Sequence, residues 1–399
     1  MKKSGKREIC PETGWHGVFQ ELSRKFRMER KRWRAYGKCW QTENYIRHVN
    51  SLYPADQVKS GDEVLAEFRK IIRERNALPF RDIVPDYFRI GLNYKNRKLE
   101  DFVLWNEWDS TRRKLDRLVT HEIDILLIKP KQYFFFTRHG IPMPKRLGIL
   151  VRGETQPLVI RGNNEKELLA EALNRYGIGL FSKPYDTCGG FCCMKILPGD
   201  ASGCLVNGQY RSWLELNGCL QGLPPLLIEQ VVTQHERISA FHTQSINTLR
   251  LWTMRDNRGK VCFLDGIIRI GVGRSCTDNA KTGGLCVGLD HEGVMGDWGC
   301  CVYKIPSLIM DRHPDSGLIF KGTKIPCFQE AVELIIRAHE CFSKHVFAIA
   351  WDVAVTQEGP LIIESNPHGG TATMQRMHGG WMFVYRKLQE QLLKTKSAC

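Results

Sequence analysis

Two strand-like runs near the C-terminus, HVFAIAWDVAV and PLIIESN, flank the turn-forming residues Gln357, Glu358, Gly359 and Pro360. A hairpin centred near Glu358 sets Asp352 opposite Glu364, each six residues from the centre. Asn366 shares the face of Glu364, because side chains alternate along a strand. Two carboxylates so close repel one another unless a proton or a cation lies between them, and removing one would relieve the metal-free protein. A few hard oxygen ligands suit Mg²⁺, which keeps waters and completes its octahedron with phosphate oxygens. A polar stripe on a half-exposed hairpin is the alternative. Both strands are otherwise apolar, however, and Asp, Glu and Asn are poor strand formers, so the spacing favours a metal site at Asp352, Glu364 and Asn366.

The rest of the chain must position that hairpin. Up to about residue 115 apolar residues recur at helical spacing among charges, as in Val18, Phe19, Leu22 and Phe26 and again in Val64, Leu65, Phe68, Ile71 and Ile72. This predicts a basic, mainly helical region over 1–115. From about residue 120 short apolar runs bounded by Gly, Pro and Asn predict strands: IDILLI, LGILV, GLFSKP, GFCCMKIL, LLIEQVV, NTLRLWTM, VCFLDGIIRI and the two runs of the hairpin. NNEKELLAEALNRYG reads as a helix with Asn164 as cap, Glu167 at the capping-box position and Gly177 as stop. Two more helices are predicted, in CFQEAVELIIRAHECFSK and through GWMFVYRKLQEQLLKT.

Composition bounds the possibilities. With 42% hydrophobic and 25% charged residues over 399, the chain folds rather than staying disordered. Its net charge is +15, and residues 1–50 alone carry 13 basic against 5 acidic side chains. That balance permits polyanionic partners, and RKFRMERKRWR, residues 24–34, is the densest basic stretch; Lys and Arg at helical spacing more often make a solvated face, so nucleic acid is not the favoured partner. Fifteen cysteines without repeated zinc-site spacing favour neither a disulfide framework nor structural zinc, and with no signal or spanning stretch they point to the cytoplasm.

The segments LFSKP, YDTCGG, LLIEQVVTQHE, NTLR, IIRIGVG, TDNAKTGGL, WDVAV and ESNP, in this order, resemble the ATP-grasp superfamily, and most of all its sugar-transfer associated branch. The resemblance covers roughly residues 120–370 and implies an α+β fold in which two subdomains hold a nucleotide between them. It divides the chain at 116–228, with Lys183 and a Gly-rich loop, and 229–399, with hinge, arginines and metal site. It also implies ATP and Mg²⁺ as cofactors. Lys183, at the end of an apolar strand, corresponds to a lysine that neutralises nucleotide phosphate charge, and Lys195 is a second candidate. In DTCGG, Gly189 and Gly190 let backbone amides approach phosphate oxygens, although no Gly-Lys-Ser/Thr follows and a plain hairpin turn serves as well. Cys188, Cys192 and Cys193 there read more readily as buried structural thiols than as ligands.

Glu229, Gln230 and Val231 correspond to a hinge whose backbone pairs with the adenine edge, and Glu236 or its neighbour His235 to a ribose-binding group. Arg250 and Arg269 sit in strands where an unpaired guanidinium is costly, so either they clamp the γ-phosphate and a developing acyl phosphate, or they form internal salt bridges, for instance with Asp265. Asn247 orders the strand or a phosphate. Asp278 and Asn279, in a polar Gly-rich loop, face the acceptor or a second metal. The activity implied is that of an ADP-forming carboxylate–amine ligase, coupling a small-molecule or glycan-linked donor to an amine. Phosphoryl transfer to a hydroxyl at the same site, or non-catalytic RNA or membrane-surface binding through residues 24–34, are the alternatives.

Overall fold

The computed structural model describes residues 43–75, 80–151, 158–162, 166–185, 192–221, 223–367 and 369–398. Eight strands, β1 (Arg146–Val151), β2 (Val159–Arg161), β3 (Lys166–Leu168), β4 (Leu180–Pro184), β5 (Met194–Asp200), β6 (Gly203–Val206), β7 (Gln209–Ser212) and β8 (Leu226–Gln230), form one antiparallel sheet. Their order is β3-β2-β1-β8-β4-β5-β6-β7. Six more, β9 (Leu249–Arg255), β10 (Val261–Ile270), β11 (Leu285–Leu289), β12 (Met295–Cys300), β13 (Ala348–Thr356) and β14 (Gly359–Pro367), form a second antiparallel sheet in the order β12-β11-β10-β9-β13-β14.

Every residue of β13 is buried. The reason is that both faces of the second sheet are covered, which makes a central strand read as a continuous apolar run. On one face Leu251, Trp351 and Val353 pack with the helix Phe328–Glu340 and with Phe136 of the helix Lys129–Arg138. On the other, Trp252, Met254 and Ala350 pack against the N-terminal helices and the C-terminal helix Met382–Ala398. Trp252 meets Trp108 at 5.9 Å and Trp381 at 5.0 Å between ring centroids, both edge to face. A separate core lies between the first sheet and the helices Leu169–Tyr176 and Trp213–Leu220.

The helical N-terminal region is present from Glu43 onward. The predicted stripe lies in the helix Gly61–Glu74, started by a capping box in which Ser60 Oγ accepts from Glu63 N–H (3.2 Å) and Glu63 accepts from Ser60 N–H (2.7 Å). Val64, Leu65, Phe68 and Ile71 are buried, while Ile72 faces out. Residues 24–34 lie outside the described residues.

Two segments differ from expectation. IDILLI is part of a helix, Thr120–Leu127, not a strand, because it packs one side against β14 rather than pairing at a sheet edge. NNEKELL does not begin a helix at Asn164: Lys166–Leu168 pairs with β2, and the helix starts at Leu169 and stops, as expected, at Gly177, whose φ is +38°. Among the described residues no helix is long and apolar enough to cross a membrane.

Candidate active site

A cavity of about 600 Å³ opens between the two sheets, lined by β4, β5 and β8 on one side and by β10, β13, β14 and the loop Cys276–Asn279 on the other. Lys183, Lys195, Glu229, Gln230, Val231, Arg269, Asp278, Asn279, Asp352 and Glu364 all line it.

On the first sheet, antiparallel pairing sets Lys183 opposite Leu227 and Phe181 opposite Glu229, bringing the two charged side chains together. Lys183 Nζ lies 2.7 Å from Glu229 Oε2, and Arg146 at the start of β1 reaches Oε1 at 2.9 Å. Burial pushes the Glu229 carboxyl up; Lys183 and then Arg146 more than reverse this and hold it below its ordinary value. The Glu229 carboxylate therefore anchors two cations instead of meeting a base. The N–H groups of Gln230 and Val231 are also spent, on Lys145 O (2.9 Å) and Gly179 O (3.2 Å). The next residue lining the cavity, Val232, keeps an N–H without a partner among the described residues.

On the second sheet Asp352 is the hub. It pairs with Arg250 of β9 and with Glu364 of β14. Arg250 Nη2 donates to Asp352 Oδ2 at 3.1 Å, and Arg269 Nη2 lies 3.1 Å from the same oxygen. Arg269 also donates to Thr248 Oγ1 (2.7 Å), which in turn donates to Asp278 Oδ2 (2.5 Å). Burial opposes the charge of Arg269, but Asp278 and Asp352 overcome it and raise its pKa. Burial pushes the Asp278 carboxyl up, against Arg269 and the Thr248 hydrogen bonds. The salt bridges thus form with Asp352 and Asp278, while Asp265 takes His378 and Trp381. Arg250 holds Asp352 from outside the residues that line the cavity.

The hairpin brings Asp352 and Glu364 together by a route the spacing does not show. Thr356 pairs with Gly359, so the turn is centred between Gln357 and Glu358, which alone would set Asp352 against Ile363; a bulge between Asp352 and Val353 moves the pairing on by one, to Glu364. Asn366 pairs with Ala350 and does not line the cavity.

Four other candidates have different work. Asn247 is fully buried, donating to Ile238 O and His242 O (both 3.0 Å) and accepting from Gly271 N–H (3.1 Å), so it fastens a loop and has nothing left for a phosphate. His235 Nδ1 accepts from Arg237 N–H at the start of the helix Glu236–Ser239, and Glu236 is exposed; neither lines the cavity. Asn279 lines the cavity but caps a turn through Lys281 N–H (2.9 Å). Gly189, Gly190 and Cys188 lie outside the described residues. Burial pushes the Cys193 thiol up to about 12, as expected for an inert structural cysteine.

Lys129, Arg146, Thr248 and Ser245 belong to the site and were not singled out from the sequence. Ser245 Oγ lies 2.9 Å from His242 Nδ1, and a Cβ at Gly271 would collide with both, which is why that position is glycine. Only Arg146 carried a signal: a basic residue opening an apolar strand.

The Asp352–Glu364 pair suits a divalent cation. Asp352 Oδ1 is buried without a hydrogen-bond partner, since Arg250 Nε approaches it at 2.6 Å but out of line. Asp278, Asp352 and Glu364 face Arg250 and Arg269, and Lys129, Lys183 and Lys195 line the same cavity, so it is the placement of Asp352 and Glu364 together, not an excess of charge, that suits a cation. Among the described residues no group of three or more His, Cys, Asp or Glu side chains is placed to hold a metal ion by itself.

Two antiparallel sheets with a charged cleft between them define the chain as an ATP-grasp protein of the α+β class. Residues 111–383 match the model of the sugar-transfer associated ATP-grasp family, and the chain belongs to that family. No curated protein matches it. Among solved structures it is similar to D-alanine–D-alanine ligase from Bacillus anthracis complexed with ATP, at 13% identity and a TM-score of 0.36, covering 68% of this chain and 66% of that one. It is also similar to N5-carboxyaminoimidazole ribonucleotide synthetase from Thermotoga maritima, at 12% identity and a TM-score of 0.31, covering 62% of this chain and 43% of that one. The chain thus spans less than half the length of the latter.

Proposed function

We propose that the protein is an ATP- and Mg²⁺-dependent ligase that joins a carboxylate to an amine in the cytoplasm. The observation that carries this is the cleft itself, in which paired carboxylates and fixed cations converge from both sheets. The Val232 N–H meets the adenine edge. Lys183, held in place by Glu229, and Lys195 take phosphate charge, and Arg269 faces the γ-phosphoryl group, positioned through Asp352 by Arg250. Mg²⁺, held by Asp352 and Glu364 with Asn366 beside them, would neutralise the phosphate oxygens. A donor carboxylate oxygen then attacks the γ-phosphorus, the bond to ADP breaks, and an acyl phosphate forms. The amine attacks its carbonyl carbon, phosphate departs with the bonding pair, and the nitrogen loses a proton. The family's association with sugar transfer favours a uronic acid or an amino acid among donors.

The test is ATP turnover against pooled carboxylates and amines, with hydroxylamine in place of the amine. Hydroxamate and ADP should appear together, dependent on the donor and on Mg²⁺. A stable phosphoester without hydroxamate would instead establish phosphoryl transfer to a hydroxyl.

Lys183→Ala should weaken ATP binding by about tenfold or more while leaving adenosine nearly unaffected, since one charged contact contributes roughly 1.5–3 kcal/mol. Calorimetric titration with both ligands checks this; equal losses would mean that the lysine acts through packing.

A further inference from the structure

β9 runs from the active-site end of the sheet, at Arg250, to a second pocket at Arg255, about 17 Å along the strand. This pocket, of about 320 Å³, lies between the β9–β10 turn, residues 344–347 and the helix Met382–Ala398. Arg258, Lys344, Lys387 and Lys394 line it, and none has an ion-pair partner among the described residues. Two acids also line it. Asp256 accepts from the N–H groups of Arg258 (2.8 Å) and Lys260 (2.9 Å), which fixes its place in the turn without cancelling its charge, and Glu390 is exposed.

Arg255 at the base of the pocket is only 9% exposed and has no carboxylate partner among the described residues. Its guanidinium donates to backbone carbonyls alone: Nε to Val346 O, Nη1 to Gly259 O, and Nη2 to His339 O and Phe342 O. That uses four of its five N–H groups and leaves one on Nη1. Carbonyl dipoles satisfy the hydrogen bonds but do not cancel the charge, and burial accordingly lowers the pKa of the group, with Glu340 and Glu122 only partly offsetting it.

We propose that this pocket is a second anion site, separate from the nucleotide cavity, which binds a multiply charged phosphate group. Five cations against two acids leave a net charge of +3, which calls for at least two negative charges on the ligand. They approach from three different segments of the chain, which suits the tetrahedral spread of phosphate oxygens better than the planar fork of a single carboxylate. The volume admits a phosphorylated small molecule or a lipid headgroup.

Calorimetric titration of the full chain with inorganic pyrophosphate, alone and with ATP present, tests the site. Cosedimentation with phosphatidylcholine vesicles, with and without phosphatidic acid, distinguishes a headgroup from a free phosphate compound. Arg258→Glu with Lys344→Glu, both exposed, should weaken pyrophosphate or vesicle binding about tenfold or more and leave ATP affinity unchanged. Lys98→Glu with Lys114→Glu, the same change of charge on the N-terminal region, should leave it within about twofold. Pyrophosphate binding that ATP displaces, an equal loss in both double variants, or no binding to either probe would overturn the proposal.

Discussion

Glu364→Gln should abolish turnover and leave a protein as stable as the parent, whereas Asp352→Asn should lose both activity and stability. The two carboxylates face each other across β13 and β14, yet they are not equivalent. Asp352 is 5% exposed and carries Arg250 and Arg269; neutralising it leaves two guanidiniums without their counter-ion in a buried strand pair. Breaking a buried ion pair from one side costs about 3–5 kcal/mol. Glu364 has no ion-pair partner among the described residues, so relief of repulsion on losing one carboxylate applies to it and not to Asp352. Urea unfolding and ATP turnover on both variants separate these effects. Turnover retained in Glu364→Gln would remove it from the metal site, and an Asp352→Asn protein of parental stability would show that the arginines do not depend on Asp352.

Glu229→Gln should cost a similar amount, about 3–5 kcal/mol, because it strands Lys183 and Arg146 together on the wall of the cleft. ATP binding weakens with it, since Lys183 no longer has the carboxylate that fixes its direction. The pH dependence identifies the cause. The folded-state pKa of Glu229 lies below the ordinary value of 4.5, so its contribution is complete at neutral pH and is lost as pH falls below 4.5 and through the folded-state value. The stability gap between parent and variant should therefore close on acidification. A gap of constant size down to the acid transition would mean that packing, and not charge, holds the triad.

The sequence carried the elements better than their partners. Helical spacing located the helix Gly61–Glu74, and apolar runs located β9, β10, β13 and β14. IDILLI misled because an apolar run of six cannot say whether it lies in a helix or a strand. The pairing of Asp352 with Glu364 was legible only because a turn placed half a residue too late and an unseen bulge offset one another. Glu229 was legible as a site residue but not as the counter-ion of Lys183 and Arg146, since that role depends on how β1, β8 and β4 are aligned. Asn247 was legible as ordering either the chain or a phosphate, and it is the chain that it ties; that His235 and Glu236 lie off the cavity was not legible, because whether a polar side chain faces a cavity depends on contacts across the fold.

The aromatic column Trp108–Trp252–Trp381 crosses the limits of the family match, with Trp108 outside them and Trp252 and Trp381 inside. The family match begins at residue 111, inside the helix Trp105–Asp116, and ends at residue 383, inside the helix Met382–Ala398. A fragment cut to those limits would keep every cleft-lining residue. It would also uncover one side of Trp252 and lose Val384, Leu388 and Leu392 from the same core. The outer helices are thus not an appendage to the cleft-bearing half but the second wall of the sheet that carries it, and any excision of the cleft has to take them along.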